Sequence, residues 1–367
     1  MPTRRDCLLG ASALGLLSAG GWTWARRGPV SNTPPSLEPV RPTPGFHAGF
    51  NHAHLHRRDI GYGSEASRLQ LRRLRALGVT HVALTPFGYT SDLEGVTIRF
   101  GSDLDATLTD DALRREADSA RAEGLAVCMK PHIWSRAFWT SGMSRQDIRP
   151  RKTDGGWAAW FEQYAAFAEH YARLSEEMGA ALMVVGLEYL QATQQHPQGW
   201  TMVAEACRAV FGGKLSYAAN WWKEVEAMPD WQVFDFIGVN AYYPLSEEAD
   251  PSTAQLVAGW AEPLKTLQAL SVKHDRPVLF LEAGYRAVRG AAARPWEQSG
   301  GGGHDPMLQA RAYEALLSAI AGERWVEGVY WWKWFTDAAS RERDDYCPMG
   351  MPAEGVISRW WGEEPTP

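Results

Sequence analysis

Short runs of uninterrupted apolar residues recur along the chain, separated by longer stretches in which apolar positions return every three or four residues. The first pattern reads as buried strand, the second as helix laid against a core. Strands are predicted over 46–52, 80–86, 126–132, 181–188, 214–221, 234–242, 277–282 and 327–334. Helices are predicted over 64–77, 110–123, 157–178, 199–211, 253–270 and 306–321. Thr109-Asp110-Asp111 supplies the cap for the second helix. In the third, Trp157, Trp160, Phe161, Tyr164, Phe167, Ala168 and Tyr171 form one stripe at helical spacing, which reads as a core-facing side. Beyond Phe335 the pattern becomes irregular, and residues 351–361 are expected to return and close the barrel.

Eight strands, most followed by helices, give an α/β protein with a single (β/α)8 TIM barrel over residues 45–361. In that architecture functional side chains gather at the C-terminal ends of the strands. Upstream, residues 26–44 carry Pro29, Pro34, Pro35, Pro39, Pro42 and Pro44 and read as an extended linker. Residues 1–25 read as an export signal. Arg4-Arg5 precedes an uncharged stretch from Cys7 to Gly21, in the manner of twin-arginine leaders, and small residues precede a cut near Ala25. The implied location is the periplasm or beyond, with an uncleaved anchor as the alternative. No later apolar run is long enough to span a bilayer.

A net charge of −6 argues against a nucleic-acid partner. Cys128, Cys207 and Cys347 outside the leader show neither disulfide nor zinc spacing. Gly300 to Gly303 lacks the feeding strand and following Lys-Ser or Lys-Thr of a phosphate cradle and reads as a mobile loop. No cofactor is implied, and a monomer is expected. The 18 Trp exceed what a core of this size needs and favour a lined groove for an amphipathic ligand.

Two of the apolar runs end in a carboxylate, Glu188 at the end of the fourth strand and Glu282 at the end of the seventh. An acidic side chain beside a core is costly unless it has work to do. A pair of them at the C-terminal ends of parallel strands is the minimum for cleaving a glycosidic bond. Other strand ends add His132, Asn220, Trp221, Asn240, Tyr242, Trp331 and Trp332, a mixture of amides, imidazoles, phenols and indoles suited to a polysaccharide or oligosaccharide. His52-Ala53-His54 also admits a metal-dependent hydrolase, but the fifth, sixth and eighth strands end in Asn220-Trp221, Asn240-Ala241-Tyr242 and Trp332-Lys333-Trp334, which leaves that ligand set incomplete.

Several phrases are more specific. Lys130-Pro131-His132-Ile133, Trp160-Phe161-Glu162-Gln163-Tyr164, Tyr217-Ala218-Ala219-Asn220-Trp221, Asp235 to Leu245 and Pro277 to Arg286 resemble glycoside hydrolase family 113, a β-mannanase family within a clan of retaining (β/α)8 glycosidases. The resemblance runs from about Gly45 to Trp334. It implies that Glu188 is the acid/base and Glu282 the nucleophile, that Tyr242 hydrogen-bonds the nucleophile, and that Trp332 or Trp331 floors the sugar site. One position departs from the pattern. Leu187 stands where such enzymes carry Asn or Thr before the acid/base, which keeps a glycan-binding barrel without catalysis as an alternative.

Overall fold

The computed structural model describes residue 39, residues 43–101, residue 105 and residues 107–362. The expected export signal and nearly all of the Pro-rich segment lie outside the described residues. Eight parallel strands close on themselves: β1 (His47–Ala53), β2 (His81–Leu84), β3 (Ala126–Met129), β4 (Leu182–Leu187), β5 (Lys214–Asn220), β6 (Phe236–Asn240), β7 (Val278–Ala283) and β8 (Val326–Phe335). Each pairs with its sequence neighbours, and β8 returns to β1 with Asn51 opposite Trp332. Barrel closure therefore needs no later segment. Residues 352–361, expected to complete it, instead form a helix, Pro352–Trp361, that packs outside, where the Trp361 ring meets Phe50 at 6.4 Å and Trp360 Nε1 donates to Glu314.

Helix starts follow local chemistry. Ser64 accepts the Ser67 N–H ahead of Glu65–Ala76, Thr109 accepts the Ala112 N–H ahead of Asp110–Ala122, and Asp305 accepts the Leu308 N–H ahead of Pro306–Ile320. The aromatic stripe on the helix Gly156–Glu177 is buried along its length. Two predicted elements divide in the structure, each at a proline. The expected helix over 253–270 is two helices, Thr253–Gly259 and Ala261–His274, because Pro263 has no N–H to give the Gly259 carbonyl. The run over 126–132 stops at Met129, and Pro131 separates it from a second short strand, His132–Ser135. That strand pairs in parallel with Phe87–Thr90, which likewise follows β2 after Pro86, so a two-stranded sheet stands on the C-terminal side of β2 and β3.

The barrel interior is filled by side chains such as Cys128, Leu182, Val184, Leu187, Leu279 and Leu281. Toward the N-terminal ends of the strands, His47 and His81 stack with ring centroids 3.9 Å apart, and His47 Nδ1 pairs with the Tyr330 hydroxyl at 2.8 Å. The three cysteines are buried and free. No described helix is long and apolar enough to cross a membrane.

Candidate active site

β4 and β7 deliver the two carboxylates. Glu188 follows the last residue of β4 with φ +58°, a left-handed conformation that a side-chain-bearing residue keeps only when its surroundings impose it. Both flanking peptides are tied: the Glu188 N–H donates to Ala218 O at 3.0 Å and the Tyr189 N–H to the Tyr217 hydroxyl at 2.9 Å. Glu282 lies within β7 and is 6 % exposed. Tyr242 donates its hydroxyl to Oε2 at 2.7 Å, and the Lys130 ammonium reaches Oε1 at 2.5 Å.

Lys130 is fully buried at the end of β3 and also donates to Asn51 Oδ1 (3.1 Å) and Leu281 O (3.2 Å). Burial pulls its pKa down, while Glu282 opposes that pull through charge and hydrogen bond. Three acceptors around one ammonium leave a buried cation fully compensated. On Glu188 the effects run the other way. Burial raises its pKa first, and the Glu282 charge raises it further; Arg145, Asn240 and Lys130 pull it down. Arg145 Nη1 stands 3.7 Å from Glu188 Oε2, each side chain one-fifth exposed. The site thus holds two carboxyls of unlike character, one held toward its protonated form and one gripped by an ammonium and a phenol.

The surrounding residues separate into two groups. His132 is buried; Arg145 donates to its Nδ1 at 3.0 Å, so the ring proton sits on Nε2, which has no protein partner. Burial, with Arg145 next, holds this imidazole well below its usual pKa and therefore neutral. Trp332 stacks beside it at 6.0 Å and 22°, with the Lys130 ammonium 5.6 Å from its ring centroid. Asn240, fully buried, sets its amide beside Glu188, whose pKa it draws down. Trp221 is half-buried at the rim, between Tyr243 (5.3 Å) and Trp296 (5.5 Å).

Trp331 and Asn220 do not belong with these. Trp331 is fully buried and lies face to face with Tyr313 of the helix Pro306–Ile320 at 3.8 Å, because alternation along β8 turns it outward where Trp332 turns in. It is a core residue rather than a sugar platform. Asn220 uses Oδ1 to accept the Trp222 N–H at 2.9 Å and so holds its own loop. The loop with Gly300 to Gly303 is tied to Arg286, whose Nη1 donates to Gly300 O at 2.7 Å, and to the backbone of Arg289.

His52 and His54 are not presented together. His52 Nε2 turns to Ser67 (2.9 Å) and Glu116 (3.0 Å) behind the barrel wall. His54 approaches His56 and Asp105 with candidate ligand atoms within 4.8 Å of one another. However, the Tyr62 N–H donates to His54 Nδ1 at 3.0 Å, which places the ring proton on Nε2, where it is given to Thr107. A ring so arranged has no free lone pair for a metal at Nε2.

Arg145 was not legible as a site residue, since it comes from a polar loop far from any strand end. Lys130 carried a signal, a lysine closing an apolar strand, but its partner was not readable.

A closed parallel barrel with a pair of carboxyls at the ends of β4 and β7, close enough for the charge of one to raise the pKa of the other and neighboured by neutral imidazole, amide and indole, defines a (β/α)8 glycoside hydrolase. Residues 52–350 match the model of Glycoside Hydrolase Family 113, and the chain belongs to that family. Among solved structures, the GH113 β-mannanase AaManA from Alicyclobacillus acidocaldarius in complex with ManMIm is 28 % identical, with a TM-score of 0.75 over 86 % of this chain and 97 % of that one. A GH113 β-1,4-mannanase complex is 24 % identical, with a TM-score of 0.74 over 86 % and 98 %. A β-glucuronidase from Ruminococcus gnavus, 14 % identical with a TM-score of 0.59 over 86 % and 49 %, shares the fold. Comparison with curated proteins returns no match.

Proposed function

We propose that the protein is a retaining glycosidase that cleaves β-1,4-mannan or a closely related β-linked polysaccharide or oligosaccharide, and that the Arg4-Arg5 leader directs it out of the cytoplasm. The observation that carries the reading is the asymmetry of the two carboxyls. Glu282, its oxygens oriented by Tyr242 and Lys130, attacks the anomeric carbon. Glu188, whose pKa burial and the Glu282 charge raise, gives its proton to the departing glycosidic oxygen. The glycosyl-enzyme ester is then released by water, which Glu188 deprotonates. Trp332 supplies the apolar face for the sugar ring, while His132 Nε2–H and the Asn240 amide supply donors and an acceptor for hydroxyls. The mannan preference is supported by the activity named for the 28 % identical GH113 β-mannanase.

Purified protein incubated with manno-, gluco- and xylo-oligosaccharides, with and without a chelator, tests this. Cleavage of the manno series with retained anomeric configuration, insensitive to chelator and abolished in Glu282→Ala, is expected. Inversion of configuration rejects the two-step mechanism, and binding without cleavage by the native protein rejects catalysis altogether.

A further inference from the structure

Besides Glu116, which pairs with His52, the hydrolytic scheme leaves a second fully buried carboxylate unused. Glu224 opens the short helix Glu224–Ala227 just after β5 and forms no salt bridge among the described residues. Burial without a cation to offset it pushes its carboxyl up to about 7. Three donors converge on it instead. The Tyr217 hydroxyl (2.7 Å) and the Thr193 hydroxyl (2.9 Å) reach Oε1, and the Asn220 N–H (2.8 Å) reaches Oε2. A group this costly to bury is satisfied only as a junction between elements.

Two of those elements meet the proposed catalytic carboxyl. A phenol has one proton, and Tyr217 gives it to Glu224; the oxygen that remains accepts the Tyr189 N–H at 2.9 Å. Tyr189 follows Glu188, whose own N–H is held by Ala218 O. Fixing both flanking peptides sustains the left-handed conformation at Glu188, which a residue bearing a side chain otherwise rarely adopts. Thr193, the second donor, also accepts the Trp200 indole N–H at 3.1 Å, which anchors the segment after Tyr189 to the helix Gln198–Arg208. The third donor, Asn220, heads the turn that carries Trp221, and the Glu224 N–H closes that turn on Trp222 O at 2.8 Å.

We propose that Glu224 is a positioning residue for the acid/base: through the Tyr217 phenol it fixes the backbone on which Glu188 is displayed. This rests on the glycosidase reading above. A glutamine in its place offers one acceptor oxygen to three donors, so an N–H or hydroxyl is left facing an amide NH2 and the phenol is free to turn. The volume is unchanged, and the damage falls on orientation.

The test compares two substrates of the wild type, Glu224→Gln and Tyr217→Phe: a mannooligosaccharide, whose departing alkoxide needs a proton, and a dinitrophenyl glycoside of the same sugar, whose phenolate leaves without one. If Glu224 positions the acid, kcat/KM for the oligosaccharide falls on the order of 10²-fold in both variants while that for the dinitrophenyl glycoside stays near the wild-type value. Equal losses on both substrates, or no loss on either, overturn the proposal. Should Glu224→Gln fail to fold, Tyr217→Phe, which removes a single oxygen, carries the same expectation alone. A wild type that turns over neither substrate refutes the glycosidase reading itself, whereas an active wild type matched by both variants refutes only the role given to Glu224.

Discussion

Replacing Arg145 by Met removes the positive charge nearest Glu188, with the guanidinium that stands 5.9 Å from the Phe138 ring centroid, while keeping most of the apolar stem. The direction follows from the sign of the interaction. A guanidinium favours the carboxylate form, so without it the Glu188 pKa rises beyond the value that burial and Glu282 already give it. Unit charges 3.7 Å apart interact by about 4 kcal/mol at an effective permittivity near 20, and by about 1 kcal/mol in water. Because each side chain is one-fifth exposed, solvent screens the pair toward the lower figure. About 1 kcal/mol corresponds to roughly 0.7 pKa unit. A general acid works while it holds its proton, so activity falls above its pKa. The alkaline limb of the pH profile of kcat/KM should therefore move upward by roughly half to one unit in Arg145→Met, and Arg145→Lys should move it much less. The assay is initial-rate cleavage of a mannooligosaccharide across the pH range at fixed ionic strength. A limb that stays in place or moves down refutes the reasoning. A uniform drop without displacement would show that Arg145 acts through His132, whose Nδ1 it also holds.

Lys130→Met strips Glu282 of its ammonium and leaves a buried carboxylate with Tyr242 as its remaining donor; a loss of about 3 to 5 kcal/mol in denaturant unfolding, together with loss of cleavage, is expected. Gly78→Ala would place a Cβ 1.9 Å from the Trp361 carbonyl oxygen at a residue with φ +82°, so the C-terminal helix must shift and the unfolding midpoint should fall, while Gly355→Ala, with open space around it, should be neutral or better. Burial lowers the pKa of His47 to about 4 and of His81 to about 3, with the His47 charge adding to the latter. The unfolded chain therefore binds more protons than the native one below pH 6.5, and stability is full above that value and lost as pH falls toward 4. At pH 5 the loss is at most about 2 kcal/mol for each ring, and a His47→Gln, His81→Gln double variant should show a flatter dependence of midpoint on pH between 4 and 6.5.

The barrel was legible because its strands are apolar on both faces and its helices on one, and those two periodicities are properties of sequence alone. The ends of elements were legible where capping chemistry is local, as at Thr109. Where prolines divided an element, the pattern of apolar positions continued across the break and hid it, as at Pro131 and Pro263. Residues 352–361 misled for a related reason: their apolar residues serve a helix packed against Phe50 and Glu314 rather than a strand. At the site, Glu188, Glu282 and Tyr242 stood at readable strand ends, but Trp331 and Trp332 could be separated only by the inward parity of β8, which no local signal sets. Glu224 was invisible because its partners, Thr193, Tyr217 and Asn220, come from the end of β5 and the segment after β4, and nothing in their spacing says that they converge.

The departure at Leu187 gains a physical meaning from this geometry. Its side chain is fully buried and joins the interior cluster with Leu182, Val184 and Ala218. A polar residue there would offer a dipole to the carboxylate form of Glu188; leucine offers none and deepens its desolvation, which is the leading cause of its raised pKa. The opposing pull must then come from elsewhere in the chain, from Arg145 on the polar loop, from Asn240 at the end of β6 and from Lys130 at the end of β3. Tuning of the proposed acid has in effect passed from the residue next to it in sequence to groups brought in by three other segments. That is why the Arg145 substitution, remote in the chain and peripheral to the bond being broken, is the one expected to displace the pH profile.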